Sequence, residues 1–410
     1  MAPLLLVIDY WEKLAGASLA LSATIRLCQR AGLSLVAPSV HSSLFLPSGG
    51  FPLSSYYDTA ALGAALLPQK LESYAAWKRL RQGATGMPNA SINVAVIYRD
   101  FPSACVDALS DRRTPCPPAC LAASGVRRLI AASQRWLGHD RVPWHCVAAA
   151  EVRRTTQGGG GILSELLSRT SATALLNFRR HDGGKPMLPP TQGLALRATA
   201  VQPAPAIRAA ARSFLAANAM PPTYALVQLR SNHLAHSAHV ASGGAVAGSA
   251  QPPPQRNCTR RVGACLRRLS RATRRMAPPS ATVVASDLST LFDANQDGAT
   301  HTRHPYMRDC LLPSLPALRR WRSTAGTSFR TNCTGLGAGG GARARRRRNA
   351  SAVALACDAG YLGLVDLVLG SEADAFVAVD VKQPWRSAFL EWIVQARRLR
   401  GKTRTELISC

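Results

Sequence analysis

The sequence predicts an α/β protein of two successive domains, each a parallel sheet packed against helices. Short apolar runs alternate with helical patterns along most of the chain. Strands separated by helices pair in parallel and build layered α/β domains. The alternation breaks once, in the turn-rich stretch "HDGGKPMLPPTQG" (181–193), and then starts again. A chain of 410 residues, 47% hydrophobic and 18% charged, is long enough for two buried cores and too apolar for disorder.

The elements follow in order. Leu4 to Ile8 read as a first buried strand. Next comes a helix in which Leu21, Ile25 and Cys28 recur at helical spacing and Gly32 suits a stop. "SLVAPSV" (34–40), "NVAVIYR" (93–99), "VPWHCVAAAEV" (142–152) and "ATALLNFRR" (172–180) are further strands. "APAIRAAARSFLAANAM" (204–220) is a bridging helix. In the second half "TYALVQLR" (223–230), "ATVVASD" (281–287) and "AFVAV" (375–379) are strands. The helix over 260–276 puts Val262, Cys265, Leu266, Leu269 and Met276 on one face and arginines on the other. A helix over 361–371 has Leu362, Val365 and Leu369 in register. The expected domains are 1–200 and 201–410, with low-complexity insertions near 240–256 and 335–348 in the second and a glycine loop at 157–161 in the first.

Fifty Lys+Arg against 22 Asp+Glu give a formal charge of +28, which favours anionic partners: nucleic acid, acidic glycans or nucleotide diphosphates. The basic run Arg343 to Arg348 follows a glycine tract and lacks interleaved aromatics, so it reads as a solvated insertion rather than a nucleic-acid element. No apolar run approaches the roughly 20 residues that span a bilayer. The opening "MAPLLLVIDYWEK" is too quickly interrupted for a signal peptide, which leaves a cytosolic protein or a chain that begins inside a longer precursor. Eleven scattered cysteines and sequons at Asn89, Asn257, Asn332 and Asn349 suit a lumenal setting instead.

Four features invite a chemical reading. "CPPAC" (116–120) has no second cysteine pair at a zinc-ribbon distance. "DANQDG" (293–298) matches the start of a calcium loop, but His304 stands where a bidentate glutamate belongs. His233, His236 and His239 repeat every third residue, yet nothing nearby completes a metal site and they lead into a Gly/Ala/Ser/Pro linker. No metal is expected. Arg230 ends an apolar strand, and ligands of open α/β sheets bind at strand carboxyl ends. Its guanidinium fork is either a phosphate clamp or a structural arginine at a domain edge.

The ordered set "YALVQLRSNHL", "ATVVASD", "GYLGLVDLVLGSEADAFVAV", "RSAF" and "VQARR" resembles the GDP-fucose-dependent protein O-fucosyltransferases. The opening "LLLVIDYWEKLAGASLAL" and "ALLNFRRH" resemble the first domain of related proteins. The resemblance implies a GT-B-like architecture, two Rossmann-like domains with parallel sheets facing a central cleft. It implies an inverting, metal-independent transfer of fucose from GDP-fucose to a Ser/Thr hydroxyl of a protein acceptor in the secretory lumen, with no cofactor. Carried over by position, Arg230 stabilises the departing GDP, Asp287 lies near the nucleoside, and Ser387 and Phe389 form the Ser-x-Phe segment at the diphosphate. Gly16, Ala17 and Ser18 occupy the first strand-to-helix turn, and Glu12, with Asp9 beside it, is the nearest acidic candidate for a base. Gln228 stands where the family pattern His-Leu-Arg has its histidine. The rival expectations are a non-enzymatic basic protein that binds nucleic acid or acidic glycans, and an inactive relative that only binds nucleotide.

Overall fold

A computed structural model describes residues 4–8, 14–41, 44–46, 50–77, 94–98, 105, 116–122, 127, 130–131, 144–159, 165, 167, 172–176, 181–182, 185–186, 190–241, 255–286, 307–327, 355–380 and 387–409. The chain divides into two compact units, Met1–Pro205 and Ala206–Cys410.

The strands of the first unit are β1 (Leu4–Ile8), β2 (Ser34–Ala37), β3 (Ser39–His41), β4 (Leu44–Leu46), β5 (Phe51–Pro52), β6 (Leu71–Ser73), β7 (Val94–Tyr98), β8 (Trp144–Val147), β9 (Ala172–Leu176), β10 (His181–Asp182) and β11 (Lys185–Pro186). Six of them form a wholly parallel sheet in the order β6-β2-β1-β9-β7-β8. Strands β3, β4 and β5 form a small antiparallel sheet, and β10 pairs with β11. The expected strand 34–40 is thus two strands, because Pro38 has no N–H for the ladder and interrupts it.

The helices of this unit are α1 (Leu14–Ala31), α2 (Thr59–Leu66), α3 (Pro118–Ala122), α4 (Ala149–Thr156) and α5 (Pro190–Thr199). Leu21, Ile25 and Cys28 of α1 are fully buried, and Gly32, at φ 68°, ends the helix where a side chain would be strained. Burial also pushes the Cys28 thiol well above its ordinary pKa, so it packs as an apolar group. Asp58 caps α2 by accepting from the backbone N–H groups of Ala60 and Ala61. The expected strand over 142–152 stops at Val147, and the alanines after it start α4 instead, as their helix propensity favours. Disulfides join Cys105 to Cys120 and Cys116 to Cys146, so both cysteines of "CPPAC" are engaged elsewhere than in a metal pair.

Helix α6 (Pro205–Ala217) leads into the second unit. There β12 (Ala225–Leu229), β13 (Thr282–Ser286), β14 (Ala375–Asp380) and β15 (Thr405–Ser409) form a parallel sheet in the order β13-β12-β14-β15. Its helices are α7 (Ser231–Ala241), α8 (Gln255–Met276), α9 (Leu312–Ala325), α10 (Ala359–Glu372) and α11 (Ala388–Leu399). A π-helical turn, Met307–Leu311, precedes α9. A third disulfide, Cys258–Cys310, ties α8 to that turn.

Alternation along the strands sorts the two faces of this sheet. Val227, Leu229, Val284 and Val377 join a core with Leu234, Val262, Leu269 and Leu318 from α7, α8 and α9. The other face meets α10 and α11: a Cβ on Gly370 would lie 3.1 Å from Ile393 and 3.5 Å from Leu226. Arg397 of α11 locks the amino end of that layer. It is 0% exposed and donates to the carbonyls of Gly370, Ala373, Asp374 and Arg404 and to Thr405 Oγ1. Its guanidinium also lies 5.7 Å from the centre of the Phe376 ring. Beside it Lys402 Nζ bonds Asp374 Oδ1 at 2.8 Å, and that bond holds the Asp374 carboxyl below its ordinary pKa.

Candidate functional site

The strand order of the second unit fixes where a ligand belongs. From β12 the chain goes out to one side to form β13, then crosses back to β14 on the other side. The crevice between β12 and β14 at their carboxyl ends is therefore a topological switch point, the usual ligand position in an open parallel sheet.

Arg230 and Ser387 meet there. Arg230 is the first residue beyond β12, and its carbonyl accepts from the Leu234 N–H, so the chain turns directly into α7. Ser387 is the N-cap of α11, which follows β14. Arg230 Nη1 donates to Ser387 Oγ at 2.8 Å across 157 residues of sequence. The same oxygen accepts from the Leu390 N–H at 3.3 Å, and Ser387 is only 8% exposed. A serine hydroxyl has two acceptor lone pairs and one O–H. With both lone pairs engaged, the O–H remains as a donor. Around it stand the guanidinium and the unbonded N–H groups of the first turn of α11, whose dipole favours an anion. This arrangement of donors and positive charge suits a phosphate.

Gln228 stands two residues before Arg230, on the same side of the strand. Its neighbours in register are Ala285 of β13 and Ala378 of β14, small residues that leave room above it. It is 5% exposed, and its Oε1 is buried without a hydrogen bond among the described residues.

The other expected site residues fall in different places. Phe389 lies in the first turn of α11, two residues after Ser387, and is half-buried. Asp287 and Glu12 lie outside the described residues, as does Asp9; Ser286, the residue before Asp287, is buried at the end of β13. Gly16, Ala17 and Ser18 do not form a strand-to-helix turn: α1 begins at Leu14, so they are in its first turns. Alanine and leucine around them favour helix over a phosphate-binding loop. Ser18 is fully buried, and its carbonyl accepts from Ser22 Oγ.

The histidines do not open a linker either. They sit on α7, which continues to Ala241 because "LAHSAHVA" contains no breaker before the glycines at 243 and 244. His239 is buried, and no metal-holding cluster of three ligands occurs among the described residues. The calcium-like 293–298 segment, the basic run 343–348 and most of the insertion at 240–256 lie outside the described residues. Sequence reasoning passed over Asp380, the last residue of β14 and so a polar group at the same carboxyl edge. The signal was available: it ends "AFVAV" as Arg230 ends "YALVQL".

No protein-family model matches the sequence, and no curated protein matches it. Solved structures do. A crystal structure of POFUT1 in complex with GDP superposes with a TM-score of 0.51 at 11% identity, covering 99% of this chain and 99% of that chain. POFUT1 in complex with GDP-fucose gives 0.52 at 10% identity, covering 99% and 98%, and the apo form gives 0.51 at 11%, again covering 99% and 98%. Across nearly its whole length the chain thus has the GT-B-like α/β fold of the solved GDP-fucose O-fucosyltransferase structures.

Proposed function

We propose that the protein is a fucosyltransferase-like glycosyltransferase that binds GDP-fucose at the carboxyl edge of the second unit's sheet and passes fucose to a Ser/Thr hydroxyl of a protein acceptor. The observation that carries this reading is the Arg230–Ser387 hydrogen bond at the switch point. Two cationic or N–H-rich groups converge there on a place fit for a diphosphate.

In the reaction the bond between fucose C1 and the β-phosphate oxygen breaks, and negative charge grows on the departing GDP. Arg230 neutralises that charge as it forms, and the Ser387 O–H and the first N–H groups of α11 add hydrogen bonds. The guanidinium supplies the countercharge in place of a metal, and the acceptor oxygen bonds C1 from the face opposite the departing phosphate, which inverts that carbon. Asp287, next in sequence after β13, is assigned to the nucleoside, while Phe389 closes on the diphosphate. The acceptor proton goes to a base from the first domain (1–200), for which Glu12 is the candidate; Gly16, Ala17 and Ser18 stand near it in sequence. Domain 201–410 holds the donor. The disulfides support a secretory-lumen setting, since such bonds persist in oxidising compartments.

One observation favours a second reading. Gln228 carries a neutral amide beside Arg230, where the family pattern has an imidazole, which suits a nucleotide-binding protein without turnover.

Calorimetric titration of GDP and GDP-fucose into wild type and Arg230→Ala tests the proposal. Wild type binds both, and the variant loses about tenfold or more, the worth of one charge-assisted hydrogen bond. Folded wild type that shows no heat with either nucleotide ends the proposal. Binding without fucose transfer across an acceptor panel selects the second reading.

A further inference from the structure

The outer face of α8 is built from arginine. The helix holds eight arginines and no lysine, aspartate or glutamate; α9 holds three arginines and again no acid. Trp321 Nε1 of α9 donates to Ser270 Oγ of α8 at 3.0 Å, so the two helices are neighbours. Arg260, Arg261, Arg267, Arg268, Arg271, Arg274 and Arg275 are all exposed, as are Arg319 and Arg320. At 3.6 residues per turn the seven on α8 share roughly 140° of its circumference. Arg260, Arg267 and Arg274 form one row at seven-residue spacing and Arg261, Arg268 and Arg275 another, with Arg271 between them, over about 22 Å.

Little offsets this charge. Arg275 pairs with Glu406 at 2.6 Å, and Arg268 donates to the Ser409 carbonyl at 3.2 Å. Arg260, Arg261, Arg267, Arg271 and Arg274 meet no acceptor among the described residues. A merely solvated helix face gains by alternating signs at i,i+4, whereas Arg267, Arg271 and Arg275 repeat one sign at that spacing and repel.

We propose that this face binds a sulfated polysaccharide chain. Guanidinium forks match the paired oxygens of a sulfate better than ammonium groups do, and the face uses arginine alone. Two parallel rows suit a linear polyanion that lies along the helix. Between the arginines this arc carries only the exposed Asn257 and the half-buried Ala264. It therefore lacks the aromatic side chains on which single-stranded nucleic acid stacks and the large apolar ones that enter a membrane surface. Cys258, in the first turn of the same helix, is disulfide-bonded, which places the face in an oxidising compartment where sulfated glycans are the polyanions at hand. This inference stands apart from the GDP-fucose reading.

The test measures binding of the full chain to a heparin oligosaccharide at about 0.15 M salt, where exposed charges more than about 8 Å apart are largely screened. Three proteins are compared: wild type, the quadruple variant Arg260→Ala/Arg267→Ala/Arg271→Ala/Arg274→Ala, and a deletion of 335–348. The quadruple variant loses about tenfold or more in affinity, as four exposed charge contacts warrant, while the deletion loses little. Its GDP binding or, failing that, its thermal transition stays that of wild type. Arginine-selective dicarbonyl labelling of wild type, with and without the oligosaccharide, gives a readout that needs no variant: protection falls on 260–275. The proposal is overturned if loss follows the deletion alone, if protection falls elsewhere, or if unsulfated heparosan, duplex DNA or polyglutamate binds as tightly as heparin.

Discussion

Ser387 performs two tasks with one oxygen, since it caps α11 through Leu390 and holds the Arg230 guanidinium. Ser387→Ala removes both. Loss of a serine cap costs about 1 kcal/mol of stability. Loss of the Ser387 contact removes one bond that aims the fork, so GDP affinity falls several-fold to about tenfold, again on the scale of one hydrogen bond. Ser387→Thr keeps a hydroxyl at the same position and restores most of both. Thermal melting and nucleotide titration of the three proteins decide the matter. An alanine variant that melts lower yet binds GDP like wild type would show that Arg230 is aimed by something else. The meeting of these two residues was only half legible in the sequence. Arg230 announced itself by ending a buried apolar run, but the residue that holds it lies 157 positions away, and only the family likeness pointed there.

At the scale of elements, strong periodicity was readable and local exceptions were not. The stripe of α8 and the runs of β12 and β13 fold as their patterns require. Helix α9 has no counterpart among the helices expected from the sequence, and it carries two prolines, Pro313 and Pro316. Yet Pro313 falls in the first turn, where its missing N–H is harmless, and Pro316 is carried inside. Strand β15, "TELIS", escaped because its pattern is mixed, as befits the last strand of a sheet. What joins α10, α11, β14 and β15 is the buried Arg397, which the sequence showed only as part of the "VQARR" segment, with nothing to say that it is buried. Arg397→Met fills similar volume but leaves the carbonyls of Gly370, Ala373 and Asp374 without this donor, while that of Arg404 keeps the Phe376 N–H. Stability should fall by about 3 kcal/mol or more, because buried unpaired acceptors bear their full desolvation cost. Chemical denaturation of the variant checks this. A loss below about 1 kcal/mol, the range of an exposed arginine contact, would mean that water replaces the guanidinium.

For the whole molecule, the two-part α/β plan was visible because one alternating pattern occurs twice, separated by a turn-rich break. The covalent cross-links were not. Eleven cysteines admit many pairings, and spacing selects none of them. Three pairs among the described residues close separations of 15, 30 and 52 residues, and Cys265 and Cys357 of the second unit are disulfide-bonded as well. By the loop-closure argument each contributes roughly 3–4 kcal/mol by restricting the unfolded chain. Each unit therefore depends on an oxidised state, and Cys28 is too deeply buried to exchange with the bonded thiols. The double variant Cys258→Ser/Cys310→Ser removes this one bond and leaves the others in place. Its melting transition should fall by roughly 6–16 °C, since 1 kcal/mol is worth about 2–4 °C in a unit of this size. A reductant should lower the wild-type transition further, as it also opens the remaining bonds, those of the first unit among them. If thiol titration shows full reduction and the melting curve does not move, these cross-links do not hold the fold, and the argument from them to an oxidising compartment fails with them.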